Sequence, residues 1–69
     1  MKIEVGKRFL SCRKAVNLTQ KQVADKLGVA QPVYQRFEKG IYECSYEELV
    51  MLANIFDVTI DYLLGRTVF

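Results

Sequence analysis

The chain has no histidine, two cysteines, one proline and no apolar run near the ~20 residues that a membrane span needs. Each shortage removes a class of protein. Without histidine the commonest general base is missing, and no glycine-rich phosphate loop is present. Ser11 and Ser45 have no activating partner nearby in sequence, so catalysis is not expected. Cys12 and Cys44 offer two thiolates where a structural zinc site takes four ligands, so no metal and no other cofactor is expected. Two isolated cysteines suit a reducing compartment and are read as reduced structural residues. Met1-Lys2-Ile3-Glu4 lacks the apolar stretch of a signal peptide, which leads to the expectation of a soluble, cytoplasmic protein without membrane contact.

What remains is a chain of 69 residues, 51% hydrophobic, with no linker, repeat or low-complexity segment. That composition predicts one packed domain over residues 1–69. A chain of this length buries about 60% of the surface its unfolded form exposes, and its core supplies on the order of 3–5 kcal/mol. A roomy enzyme cleft or a separate effector-binding domain is therefore not expected.

The punctuation is helical throughout and predicts five helices. Val5, Phe9, Cys12 and Val16 recur at steps of four, three and four, one stripe of a helix from about residue 3 to 16 that Asn17 can end in a left-handed conformation. Thr19 and Gln22 form a capping box, with Leu18 and Val23 as a hydrophobic staple, so a second helix starts at Gln20 and stops at Gly28. Its inward residues are Val23, Ala24 and Leu27. Three residues later Pro32 suits a first helical turn, placing a third helix from Gln31 to Lys39 before Gly40. Two helices joined by a short glycine-containing turn make a helix-turn-helix. Ser45 and Glu48 form a second capping box, ahead of a helix with Leu49, Leu52, Ala53 and Phe56 on one face. Thr59 caps a short last helix that turns Ile60, Leu63 and Leu64 inward before Gly65.

The net charge of +2 hides a division. Residues 1–39 hold nine basic residues against three acidic ones, a balance of +6, while residues 40–69 hold Arg66 against five acidic residues, a balance of −4. The cationic part contains the helix-turn-helix, and a cationic face gains affinity for a duplex by releasing condensed counterions. The same segregation also fits plain solvation of helix surfaces.

On the third helix Tyr34 and Phe37 are placed inward, leaving Gln31, Pro32, Gln35, Arg36 and Lys39 on the opposite side. The amide of Gln31 can pair with adenine, the Arg36 fork with guanine, and Pro32 or Val33 can touch a thymine methyl. Each also suits an ordinary solvated helix.

The stretch from Gln20 to Phe37 resembles the helix-turn-helix of the Cro/repressor (Xre-like) regulators of bacteria and phages. The residues that carry the likeness are Leu18-Thr19-Gln20, Val23, Ala24, Leu27, Gly28, Val29, Tyr34, Phe37 and Glu38-Lys39-Gly40. It extends to Val5-Gly6 on one side and to Leu49, Leu52-Ala53, Val58 and Asp61-Tyr62-Leu63-Leu64-Gly65 on the other. The resemblance implies an all-α, compact five-helix bundle of the phage-repressor type, reading double-stranded operator DNA through Gln31, Pro32, Val33, Gln35 and Arg36. It implies phosphate contacts from Gln20, Lys21 and Lys39, with Gln20 also bracing Gln31, and an architectural ion pair between Arg13 and Glu38. Two departures from the family pattern imply altered binding: Ile41-Tyr42-Glu43-Cys44 lacks the basic residues often found after the third helix, and Ala30 replaces a capping hydroxyl residue.

Family members commonly bind two-fold operators as dimers. Val50, Met51, Val68 and Phe69 are the apolar residues left for such a contact, or else they complete the core. The leading expectation is a sequence-specific transcriptional regulator, most simply a repressor. An antitoxin or restriction-modification controller shares the fold, and a protein-interaction module using the Tyr46-Glu47-Glu48 region is the rival of another class, with an unknown protein partner.

Overall fold

Local signals set where the backbone turns. In the computed structural model, which describes residues 2–66, α1 (Lys2–Ala15) gives way to a turn in which Asn17 takes φ 59°. The helix ends one residue short of the expected Val16, whose N–H still bonds to the Cys12 carbonyl at 3.2 Å; after the left-handed Asn17, Leu18 N–H bonds back to the Arg13 carbonyl at 3.1 Å. Helix α2 (Gln20–Leu27) opens on the Thr19 capping box: the Gln22 amide donates to Thr19 Oγ1 at 3.1 Å, and the Thr19 amide to Gln22 Oε1 at 2.8 Å. Gly28, at φ 82°, closes it.

Helix α3 (Gln31–Lys39) starts with no side-chain cap at Ala30, and Pro32 stands in the first turn, where a missing N–H leaves no intrahelical bond unmade. Helix α4 (Tyr46–Phe56) repeats the capping box with Ser45 and Glu48, and α5 (Ile60–Leu63) is capped by Thr59. Between them Asp57 ends α4 at φ 56°, a stop signal that the sequence reading did not name.

These five α-helices, the only regular elements among the described residues, surround one core. Phe9, Val23, Tyr34, Leu52 and Leu63 are its largest fully buried side chains. Cys12 joins them, and burial pushes its thiol pKa up. Val5, Val16, Ile60 and Leu64, expected inward, are partly buried along the margin. No helix among the described residues is long and apolar enough to cross a membrane. Val68 and Phe69 lie outside the described residues.

Helix α1 comes very close to α3 at Gly6. A Cβ there would lie 2.6 Å from the Phe37 carbonyl oxygen and closer still to that of Glu38. Helix α1 therefore rests directly on the C-terminal backbone of α3, and this contact, with α2 against α3, holds α3 at the surface with one side outward.

Candidate nucleic-acid interface

The outward side of α3 is narrower than the sequence suggests. Tyr34, Phe37 and Glu38 are buried, and Pro32, Arg36 and Lys39 point away from them in the open. At 100° per residue, Val33 and Gln35 fall on the two borders of this face, and both are half-buried. Val33 packs against the core, so part of its methyl surface is already in use. Gln35 was expected to be fully outward, but it lies next to the buried Tyr34 and one turn from Glu38. Gln31 is exposed because it occupies the helix start, ahead of the packed turns.

Behind Gln31 runs a chain of polar groups. Arg13 Nε donates to Glu38 Oε2 at 2.7 Å and Nη1 donates to the Leu18 carbonyl at 3.0 Å. The amide of Gln20 donates to Glu38 Oε1 at 2.9 Å, and that of Gln31 to Gln20 Oε1 at 3.5 Å. The polarity is forced at its buried end. A carboxylate only accepts, so Gln20 must turn its NH2 toward Glu38 and its oxygen toward Gln31. Gln31 then offers outward its own oxygen and a remaining N–H, the acceptor and donor that an adenine edge requires.

Burial by itself would raise the Glu38 carboxyl pKa, but the hydrogen bonds from Arg13 and Gln20, with the Tyr34 hydroxyl nearby, outweigh it and hold the group below its ordinary value. The Arg13 guanidinium is held above its usual range, chiefly by the bond to Glu38. The Tyr34 hydroxyl is buried beside this pair but aligned with no hydrogen-bond partner, and its burial pushes the phenol well above the usual value.

At the start of α2 an open cleft of ≈ 580 Å³ is lined by Arg13, Lys14, Asn17, Leu18, Thr19, Gln20, Lys21 and Gln31. It brings free helical amides and two lysines beside the first residue of α3, a setting that favours an anion. Lys21, expected to meet a phosphate, also forms an exposed i,i+4 pair with Asp25 at 3.4 Å. Such pairs are worth little and exchange readily for another anion. The sequence marks Asn17 only as a helix stop and does not single out Lys14. Their only sequence signal for this cleft is that they follow Arg13 at the end of the first helix. Also unforeseen is the pairing of Arg36 with Tyr42, whose ring lies under the guanidinium at 5.4 Å from Cζ to centroid.

A family profile described as helix-turn-helix matches residues 10–63. The chain belongs to this helix-turn-helix family. It is 49% identical over 53 residues to YqaE of Bacillus subtilis, an uncharacterized HTH-type transcriptional regulator, covering 77% of this chain and 46% of that one. It is 36% identical over 64 residues to the cryptic phage CTXphi transcriptional repressor RstR of Vibrio cholerae, covering 93% and 57%. The chain thus spans about half the length of these curated relatives. In fold it is similar to the restriction-modification controller protein C.AhdI from Aeromonas hydrophila, with a TM-score of 0.82 and 24% identity over 88% of this chain and 92% of that one. The resemblance to Cro/repressor regulators drawn from the sequence agrees with both the family and the fold.

Proposed function

We propose that the protein is a transcriptional regulator that binds double-stranded DNA by inserting α3 in the major groove, and that it acts as a repressor by occupying an operator. The observation that carries this reading is the joint placement of the Gln31 amide edge and the cationic cleft at the start of α2. One group suits a base edge and the other the neighbouring phosphate, and the Gln20 relay ties them together. Its relatives YqaE and RstR, a transcriptional regulator and a repressor by name, support the same reading. In this account Gln31, Pro32 and Arg36 face base edges, Val33 and Gln35 contribute from the borders, and Gln20, Lys21 and Lys39 contact phosphates. Arg13 and Glu38 are architectural. No catalytic step is assigned, and the site of action is the cytoplasm, where the operator is.

Binding is proposed to be by a homodimer, with half-sites one helical turn apart, roughly 34 Å. On α4, Met51 is 41% exposed and Val50 is half-buried, which makes Met51 the better placed of the two for a partner copy.

The deciding experiment is selection from a random duplex pool at low salt, followed by a salt titration of the recovered sequence. Binding whose log K falls linearly with log salt, at about −0.9 per phosphate neutralised, supports the reading. Recovery of no sequence overturns it in favour of a protein-interaction module. Sedimentation at tens of micromolar, with and without the recovered duplex, tests the dimer; a single 8 kDa species without DNA and one chain per duplex with it removes it.

A further inference from the structure

We infer that Tyr42 is a positioning residue for Arg36: its ring holds the guanidinium in a fixed direction on the reading face, and so sets the base preference that Arg36 imposes. This rests on the DNA-binding reading of α3 given above.

Two independent sets of contacts converge on the pair. The first is the backbone beyond α3. Gly40 takes φ 74°, and the amides of Ile41 and Tyr42 both return to the carbonyl of Arg36 itself, at 3.0 and 3.4 Å. The turn has little freedom, since a Cβ on Gly40 would come within 2.7 Å of the Ile3 Cα in α1. Tyr42 is therefore delivered beside Arg36 by the way the helix ends. The second is the side chains. Arg36 Cζ stands over the Tyr42 ring at 5.4 Å, inside the range where the ring quadrupole attracts a cation. The ring also borders an apolar groove lined by Val5, Phe9, Phe37 and Leu64, so one edge of it faces apolar side chains.

A guanidinium is planar and weakly hydrated, so it can rest on an aromatic ring without giving up its N–H donors. Among the described residues the Arg36 side chain makes no ion pair and no hydrogen bond. Its fork remains available for the two acceptors of a guanine edge, while rotamers that swing it away from Tyr42 lose the attraction. The loop after α3 lacks lysine and arginine, and an aromatic ring there gives it a part in recognition that does not depend on charge.

The test uses the full 69-residue chain and the duplex selected by the wild type, with each single-base variant of that duplex. Tyr42→Leu retains an apolar cover for the groove and removes the ring; Tyr42→Phe retains the ring and removes the hydroxyl. The expected result is that Tyr42→Leu lowers discrimination about two- to five-fold at the one base position whose preference Arg36→Ala abolishes, at an unchanged melting midpoint. Tyr42→Phe should restore it, and Tyr42→Leu should have no further effect in the Arg36→Ala background. In the free protein, NMR should show the Arg36 side-chain protons shifted upfield by the ring in the wild type and in Tyr42→Phe, but not in Tyr42→Leu. The inference is overturned, with DNA binding intact, by a missing upfield shift, by an Arg36→Ala variant that alters no base preference, or by a loss spread over all bases and shared by Tyr42→Phe, the mark of a hydroxyl-phosphate contact. If the wild type binds no duplex in the pool, both readings fall together.

Discussion

Removing the Glu38 carboxylate would leave the Arg13 guanidinium, whose side chain is 13% exposed, bonded only to the Leu18 carbonyl, and would strand the Gln20 amide. Breaking one side of a buried pair costs about 3–5 kcal/mol, the same size as the whole stability expected of so short a chain. Glu38→Ala is therefore expected to be largely unfolded at room temperature by circular dichroism, whereas the exposed pair of Lys21 and Asp25 can be broken at a cost within about 1 kcal/mol. The pH dependence has a definite sign. Because the folded state lowers the Glu38 pKa, the stability from its ionisation is fully present above the ordinary carboxyl value of 4.5 and is lost as pH falls through the depressed folded value. Melting curves of wild type and Glu38→Gln should differ near neutrality and converge in acid; a gap that stays constant down to pH 3 would contradict this. On the reading face, Arg36→Ala should cost about 1–3 kcal/mol concentrated at one base position, and Lys39→Ala should weaken all sequences alike while reducing the salt slope by about 1.

At the scale of the element, the approach of α1 to α3 opposes two ordinary effects. Gly6 lies inside a helix, where alanine would gain up to about 1 kcal/mol from propensity alone. Its Cβ, however, would meet the Phe37 and Glu38 carbonyls, and backbone cannot swing aside as a side chain can. Overpacking of this kind costs about 1–3 kcal/mol, so Gly6→Ala is expected to lower the midpoint in a denaturant titration; a rise would mean that the helices slide apart freely. No pattern in the first helix announces this glycine's role, since the obstacle belongs to a helix thirty residues away. The helix boundaries, by contrast, were legible because caps are local: Thr19 with Gln22, Ser45 with Glu48, and Gly28 and Gly40 act within one turn of chain. Asp57 was missed as a stop because aspartate takes the left-handed conformation less often than glycine. The spacing of Tyr34 and Phe37 identified the packed side of α3 but not its width, so Gln35 moved from open face to border, and Val33, placed on neither side, forms the other border. The Tyr42 ring escaped notice because it reaches Arg36 through a non-helical turn, where no periodicity operates.

For the molecule as a whole, the cationic balance belongs to the part of the chain that builds α1, α2 and α3, and the anionic balance to the part with α4 and α5. A body so divided meets a polyanion with a preferred orientation, since its acidic elements are repelled by the phosphates that its basic elements attract. Glu47, exposed on the first turn of α4, offers a probe. Glu47→Lys is expected to raise affinity for random duplex several-fold while leaving base preferences at the selected site unchanged, so that the specificity ratio falls; fluorescence anisotropy against both duplexes would measure it. There is one more consequence of how α3 is seated. On the proposed reading Gln31, Pro32 and Arg36 choose the address, whereas Tyr34, Phe37 and Glu38 hold the building up, and the two sets share no position. A lineage of such proteins can therefore drift to new operators through intermediates that all remain folded, and rival copies in one cell can diverge until neither answers to the other's site.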